Sequence, residues 1–246
     1  MTAVAERRQA VVFDMDDTLY AERRFVLSGF AAVAEVLGSH QGIEAREAFR
    51  VLARALRQGR RQMALQLLCR RYGLPESMVR ELVQVIRAHV PRLRLPRTTA
   101  RVLAVLRPTW RLGVLTNGVP AIQARKVAAL GLGAMVDQVV FASAHGTGAG
   151  KPDSAPFLAM SECLAVEPGR CVFVGDDPVC DIAGARRVGM RSVQIRASAR
   201  QPLAASIHQR PDSFIESLSE LPHVAASLLE ERYGYVNHHR TPPRRT

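Results

Sequence analysis

The stretch Gln9-Ala10-Val11-Val12-Phe13-Asp14-Met15-Asp16-Asp17-Thr18-Leu19-Tyr20 turns from apolar to acidic within a few residues. A short apolar run bounded by acids reads as a buried strand, and it delivers Asp14 and Asp16 at its carboxyl end. Spaced by two, both carboxylates can face the same side of an extended segment. Two acids this close repel unless a cation neutralises them. An oxygen-only cluster of this kind suits Mg²⁺.

Outward from that strand the pattern first becomes helical. Phe25, Val26, Phe30, Val33 and Leu37 fall on one helix face, with a stop expected near Gly38. Similar faces end near Gly59 and Gly73, and Pro75 can open a fourth helix that carries Met78, Leu82, Val85 and Ile86. Four helices with no strand between them predict a small bundle. After Pro91 and Pro96 the chain alternates. Strands are expected at 111–116, 138–142, 170–175, 192–195 and around 213–216, with helices between them and a last helix over 218–231. Such alternation predicts right-handed crossovers and a parallel, doubly wound α/β sheet. The expected organisation is an α/β domain over 1–20 and 96–231, a helical insertion over 21–95, and a basic, mobile tail over 232–246.

Ligands of such sheets bind at the carboxyl ends of the strands, so those ends carry the chemistry. The second strand ends in Thr116-Asn117-Gly118, a hydroxyl, an amide and a flexible turn that can hold anionic oxygens. Next comes His145-Gly-Thr-Gly-Ala-Gly150-Lys151-Pro152. Pro152 stands where a nucleoside-triphosphate loop needs Ser or Thr, so that reading is disfavoured. The loop still presents a lysine, a compact point charge suited to a phosphoryl group. Lys126 and Lys151 are the only lysines among 34 basic residues, which argues that Lys151 is not ordinary surface charge. The fourth strand ends in Gly175-Asp176-Asp177-Pro178, and Asp181 follows at a helix start where it could serve as an N-cap.

Length and composition bound the rest. The 246 residues, 48% apolar, suit a globular chain with one inserted subdomain. The mean hydropathy of −0.01 fits that class. No apolar stretch reaches membrane-spanning or signal-peptide length, so a cytoplasmic chain is expected. Cys69, Cys163, Cys171 and Cys180 form no C-x-x-C pair and are expected to be free, small buried hydrophobes. The net charge of +12 raises a nucleic-acid-binding reading. That reading lacks interleaved aromatics, only 5% of the chain, and any recognition motif.

Taken together, these strand-end motifs resemble the haloacid dehalogenase-type hydrolases, most of which are Mg²⁺-dependent phosphatases. The resemblance covers about 10–229. It rests on Asp14/Asp16/Thr18, Thr116 followed by Asn117-Gly118, Lys151-Pro152, and Gly175-Asp176 with Asp181. The helical insertion sits where that family places its cap. The Leu115-Thr-Asn-Gly phrase with Gln123 and Lys126 is similar to nucleotidase-like and small-phosphate members. One departure is Asp177-Pro178, where the family pattern leads to Ser or Thr and no proline.

The resemblance implies Asp14 as nucleophile, forming an aspartyl-phosphate, and Asp16 as general acid and then base. It implies Mg²⁺ held by Asp14, Asp16 through its carbonyl, and Asp176. Thr116, Asn117 through its backbone, and Lys151 would clamp the phosphoryl oxygens, with Asp181 orienting Lys151 or a metal-bound water. The dehalogenase branch does not carry Asp at the second position, so Asp16 favours a phosphatase. The expected substrate is a small phosphorylated metabolite such as a sugar phosphate or nucleotide, handled by a monomer or homodimer. A sugar phosphomutase on the same core is the alternative. No motif residue is missing, which disfavours a non-catalytic member. Residues 21–94 hold 14 Arg against 6 Glu and no Asp, a net of +8. Such a field would speed the capture of anions. Arg23 and Arg24, just past the acidic loop, are the candidate substrate-binding cations. Arg46, Arg50, Arg54, Arg57 and Arg61 step by three or four, as an outer, solvated helix face would.

Overall fold

The computed structural model describes residues 7–148, 150–196 and 206–237. It divides into two compact units, Met1–Tyr20 with Leu95–Gln123 and Gly131–Thr246, and Ala21–Arg94 with Ala124–Leu130. The segment 124–130, which the sequence reading assigned to the sheet domain, groups with the helices.

The first unit is built on a six-stranded sheet: β1 (Ala10–Phe13), β2 (Arg111–Thr116), β3 (Gln138–Phe141), β4 (Cys171–Gly175), β5 (Arg191–Ile195) and β6 (Ser213–Ile215). Their order is β3-β2-β1-β4-β5-β6 and every pair is parallel. All four residues of β1 are buried, as a central parallel strand covered on both faces requires. Phe13 registers with Val114 on one side and Val174 on the other. The chain winds outward from β1 through β2 to β3, then crosses back to β4. The switch point therefore lies between β1 and β4, where a crevice for ligands opens.

One face of the sheet is covered by α7 (Ser154–Leu164), whose Phe157, Met160 and Leu164 pack with Val12, Leu115 and Phe173. Leu115 and Phe173 are fully buried, and Phe157 meets Phe173 at a ring separation of 5.0 Å. α5 (Arg97–Leu106) lies against α9 (Leu221–Asn237). α9 begins at Leu221 after a capped 3₁₀ turn at Leu218–Glu220 and runs on to Asn237. The helix thus extends beyond the expected end at 231; residues 238–246 of the expected tail lie outside the described residues.

The second unit packs α1 (Arg23–Gln41), α2 (Ala45–Arg57), α3 (Ala64–Tyr72) and α4 (Met78–Ala88) around Phe30, Val33, Leu37, Leu52, Leu68 and Leu82. α1 does not stop at Gly38. It continues to Gln41 and ends at Gly42, whose φ of 64° is the left-handed geometry of a helix terminus. Gly38 keeps helical geometry because a glycine inside a helix costs only about 1 kcal/mol, which packing on the bundle core offsets. Arg46, Arg50, Arg54, Arg57 and Arg61 are all exposed. Arg50 pairs with Glu47, and Arg61 with Glu22. That is a solvated outer face. α6 (Pro120–Leu130) carries Lys126, which is buried with its ammonium 4.3 Å from the Phe25 ring centre.

The four cysteines are free; Cys69 and Cys171 are buried, whereas Cys163 is exposed and so is not the buried hydrophobe expected. Among the described residues no helix is long and apolar enough to cross a membrane.

Candidate active site

Asp14 is the first residue past β1, and its N–H donates to the Val174 carbonyl at 2.8 Å. The sheet ladder therefore fixes where its side chain leaves the backbone. Lys151 reaches the same point from the loop after β3. Its ammonium donates to Asp14 Oδ1 at 2.6 Å, Asp181 Oδ1 at 2.7 Å and the Leu115 carbonyl at 3.1 Å. An ammonium has three N–H donors, and all three are used. Asp14, Lys151 and Asp181 are buried, at 7, 4 and 1% exposure.

The lysine loop is held from the side by Asn117. Its amide N–H donates to the Lys151 carbonyl at 3.0 Å, and its carbonyl accepts the Lys151 N–H at 2.8 Å. With both ends of the side chain committed, any contact of Asn117 with an anion runs through its main chain. Thr116 is buried beside it.

Asp16 occupies a different environment from Asp14. Its Oδ1 accepts the Tyr20 hydroxyl at 2.5 Å, and its Oδ2 accepts the Gln123 amide at 2.9 Å. The same Gln123 nitrogen lies 2.6 Å from the Thr116 hydroxyl. Neutral donors thus hold Asp16, whereas a cation holds Asp14. Tyr20 stands four residues from Asp16, close enough for local sequence to suggest the bond. Gln123 is 107 residues away, and its role becomes visible only in the fold. Thr18 is buried, and its hydroxyl has no hydrogen-bond partner among the described residues.

Past β4, Asp177 caps the following helical segment, Pro178–Ala183, which is π-helical. Its carboxylate accepts from the N–H groups of Val179 and Cys180 at 2.7 and 2.9 Å. Pro178 stands in the first turn of the segment, where its missing N–H costs nothing. The capping role considered for Asp181 therefore belongs to Asp177. The unexpected Asp-Pro pair is an ordinary helix start. Asp181 instead turns inward, with Oδ1 on Lys151 and Oδ2 on the Asp177 N–H at 3.1 Å. Gly175 makes this possible: a Cβ there would lie 2.2 Å from Asp181 Oδ2.

Carboxylate oxygens of Asp14, Asp176 and Asp181 lie within 4.8 Å of one another. Asp181 joins Asp14 and Asp176 in this cluster, while the Asp16 carboxylate points to Tyr20 and Gln123; the ligand expected of Asp16 is its carbonyl, not this carboxylate. Burial, and next the neighbouring Asp181, push the Asp176 carboxyl up to about 7. Burial also raises Asp14 well above the usual carboxylate range, helped by Asp181 and Asp16 and opposed by Lys151. Burial works against the Lys151 ammonium, but Asp14 and Asp181 outweigh it and raise its pKa. Three carboxyl groups face one ammonium in an oxygen-lined crevice; burial and their mutual repulsion raise the Asp14 and Asp176 pKa values, and that repulsion is what a cation would relieve. A hard divalent cation fits that donor set in both charge and chemistry.

Arg23 and Arg24 are exposed at the start of α1 in the second unit. Neither belongs to the cluster just described.

Residues 9–189 match the haloacid dehalogenase-like hydrolases. The chain belongs to this family. It is a hydrolase of that fold, and its relatives include phosphatases. It is 27% identical over 234 residues to the glyceraldehyde 3-phosphate phosphatase of Methanopyrus kandleri, spanning 91% of this chain and 99% of that one. It is 28% identical to the 5-amino-6-(5-phospho-D-ribitylamino)uracil phosphatase of Escherichia coli, spanning 91 and 94% of the two chains. Among solved structures, a 2-haloacid dehalogenase from Pseudomonas syringae superposes with a TM-score of 0.61 at 27% identity, spanning 89% of this chain and 98% of that one.

Proposed function

We propose that this hydrolase is a Mg²⁺-dependent phosphomonoesterase that acts through an aspartyl-phosphate on Asp14. The observation that carries the reading is the pair of carboxylates, two residues apart, held in different environments. Asp14 rests on the Lys151 ammonium, while Asp16 rests on the Tyr20 hydroxyl and the Gln123 amide. Environments that set two neighbouring acids apart are how an active site divides nucleophile from acid–base work. A halide leaves without a proton, whereas an alkoxide needs one, so an acid at position 16 supports phosphate-ester chemistry.

Asp14 Oδ attacks phosphorus, the new O–P bond forms, and the ester O–P bond breaks. Asp16 gives a proton to the departing oxygen and later takes one from the water that attacks the aspartyl-phosphate. Lys151, turning one N–H from a present acceptor, and the Thr116 hydroxyl would meet the equatorial phosphoryl oxygens, and the Asn117 main chain would complete the cradle. The clamp of Lys151 by Asn117 keeps the ammonium in place while charge moves. Asp14, Asp176 and Asp181, with the Asp16 carbonyl, are the groups that would hold Mg²⁺. That ion would screen the nucleophile from the phosphate dianion and stabilise charge on the transferring group.

The names of the two full-length relatives each specify a small phosphorylated compound. This supports a substrate of the same class, a sugar phosphate or nucleotide, for this chain. The +8 excess of residues 21–94, with Arg23 and Arg24 exposed at the start of α1, supports a preference for multiply charged anions. The test is phosphate release from a panel of sugar phosphates, nucleotides and phosphorylated acids, with Mg²⁺ and after EDTA. Release that depends on Mg²⁺ is expected for at least one class. Activity unchanged by EDTA contradicts the metal assignment. Isomer interconversion without phosphate release would instead identify a phosphomutase.

A further inference from the structure

A cavity of about 860 Å³ opens on the first unit and shares a wall with the catalytic groups. Pro152 lines it, directly after Lys151, and so do Val179 and Ala183, which flank Asp181 on the π-helical segment. The opposite side is basic: Arg186 and Arg187 from α8 (Gly184–Arg187), and Arg191 from the start of β5. The volume is that of a small-molecule site.

We infer that this cavity binds a phosphorylated small molecule as an effector, and that the occupant lowers turnover through Arg187. The phosphate lies against Arg186 and Arg191, and the carbon body lies against Pro152, Val179 and Met190.

Charge is the first argument. Asp212 Oδ1 is 3.2 Å from both Arg186 and Arg191, so one carboxylate oxygen serves two guanidiniums. Asp212 Oδ2 is already committed to the Ser192 N–H and hydroxyl, each at 2.8 Å. Arg187 adds a third positive charge. Three guanidiniums against one carboxylate leave two positive charges, the complement of a phosphomonoester dianion. The Arg191 Nε is buried and has no hydrogen-bond partner among the described residues. Guanidinium forks are suited to phosphate oxygens.

Connection is the second argument. Arg187 Nη1 donates to the Pro152 carbonyl at 2.9 Å. With the two Asn117 bonds to Lys151, this bond helps hold the lysine loop. A phosphate oxygen is a stronger acceptor than a carbonyl. An anion in the cavity therefore draws the exposed Arg187 side chain away from Pro152, and the loop that presents Lys151 loses that bond. Phosphoryl transfer slows while the crevice stays open to substrate.

The kinetic consequence rests on the phosphatase reading; binding in the cavity does not. The probe is phenylphosphonate, a dianion with an apolar ring whose C–P bond is not hydrolysed. With p-nitrophenyl phosphate at saturation, phenylphosphonate is expected to lower kcat of the wild type about fivefold, at the low end of allosteric couplings. Calorimetry is expected to show two sites, one in the catalytic crevice and one in the cavity. Arg186→Ala, which leaves Arg191 on Asp212, should weaken the second site tenfold or more. Arg187→Ala should retain a weakened second site, start from the lowered kcat because it lacks the Pro152 bond, and make kcat insensitive to the probe. Thermal melts verify that both variants fold. One site in the wild type, purely competitive inhibition, or a kcat effect that persists in Arg187→Ala overturns the inference. The calorimetric arm needs no turnover, so two sites in a chain that releases no phosphate would refute the phosphatase reading alone.

Discussion

Lys151→Arg separates a phosphate-site lysine from a surface cation. The chain writes nearly all its positive charge as arginine, so at a solvated position the exchange would be silent. The structure places Lys151 Nζ at 2.6, 2.7 and 3.1 Å from three acceptors. With the side chain only 2% exposed, the hole is closed around a compact, tetrahedral donor. A planar guanidinium is larger and cannot point three donors at those three acceptors. Overpacking such a site costs about 1–3 kcal/mol, or ~2–4 °C in Tm per kcal/mol for a chain of this size. Misplacing one preorganised cation next to the developing phosphoryl charge costs about 10²–10³ in kcat. The expected result is a Tm lowered by several degrees and a kcat lowered by about 10² or more, read by melting and by phosphate release. An arginine variant with wild-type kcat would refute the assignment of Lys151.

Gly175→Ala should behave as an active-site lesion although it adds one methyl group. Its Cβ would stand 2.2 Å from Asp181 Oδ2 and force that carboxylate off both Lys151 and the Asp177 N–H, so thermal melting and turnover should both fall. Mg²⁺ at a hundredfold over its dissociation constant should stabilise the chain by about 2.7 kcal/mol, seen as a rise in Tm that Asp176→Asn diminishes. An unchanged melt would argue against the carboxylate cluster as a cation site. Away from the site, the Asp212 carboxyl lies below its usual value: burial opposes this, but the Ser192 N–H and hydroxyl, with Arg186 and Arg191, outweigh it. A lowered folded-state value gives stabilisation that is present above about pH 4 and lost as pH falls through the folded value. Asp212→Asn should therefore destabilise at pH 7, with the difference from wild type shrinking below pH 4 in acid-melting curves.

The strands were legible because each is a short apolar run with a polar boundary. β2 runs from Arg111 to Thr116 as its sequence suggests, since a buried parallel strand needs apolar residues on both faces. The strand-end groups were legible for the same reason: Asp14, Thr116 and Asp176 follow directly from where the strands stop. What sequence could not show is what those groups do with their side chains. Asn117 reads as an anion ligand in a turn, yet its amide ties down the Lys151 backbone 34 residues away. Asp181 by its position reads as a helix cap, a role that Asp177 takes; its contact with Lys151, which only the family resemblance implied, is permitted by the bare Gly175 backbone. Gln123 sits in a helix with no local sign of its bond to Asp16. Gly38 suggested a helix end because glycine is a poor helix former, while bundle packing carries α1 past it to Gly42. Local chemistry sets where backbones stop, and tertiary hydrogen bonds decide which polar atoms meet.

The central claim is covalent catalysis by Asp14. Rapid quenching of the enzyme with substrate, followed by borohydride reduction, converts an aspartyl-phosphate to homoserine, which peptide mass spectrometry locates. The mechanism predicts homoserine at position 14 in the wild type and none in Asp14→Asn, whose phosphate release should fall by several orders of magnitude. Phosphate release with no modification at position 14, or an Asp14→Asn variant of undiminished activity, would contradict it.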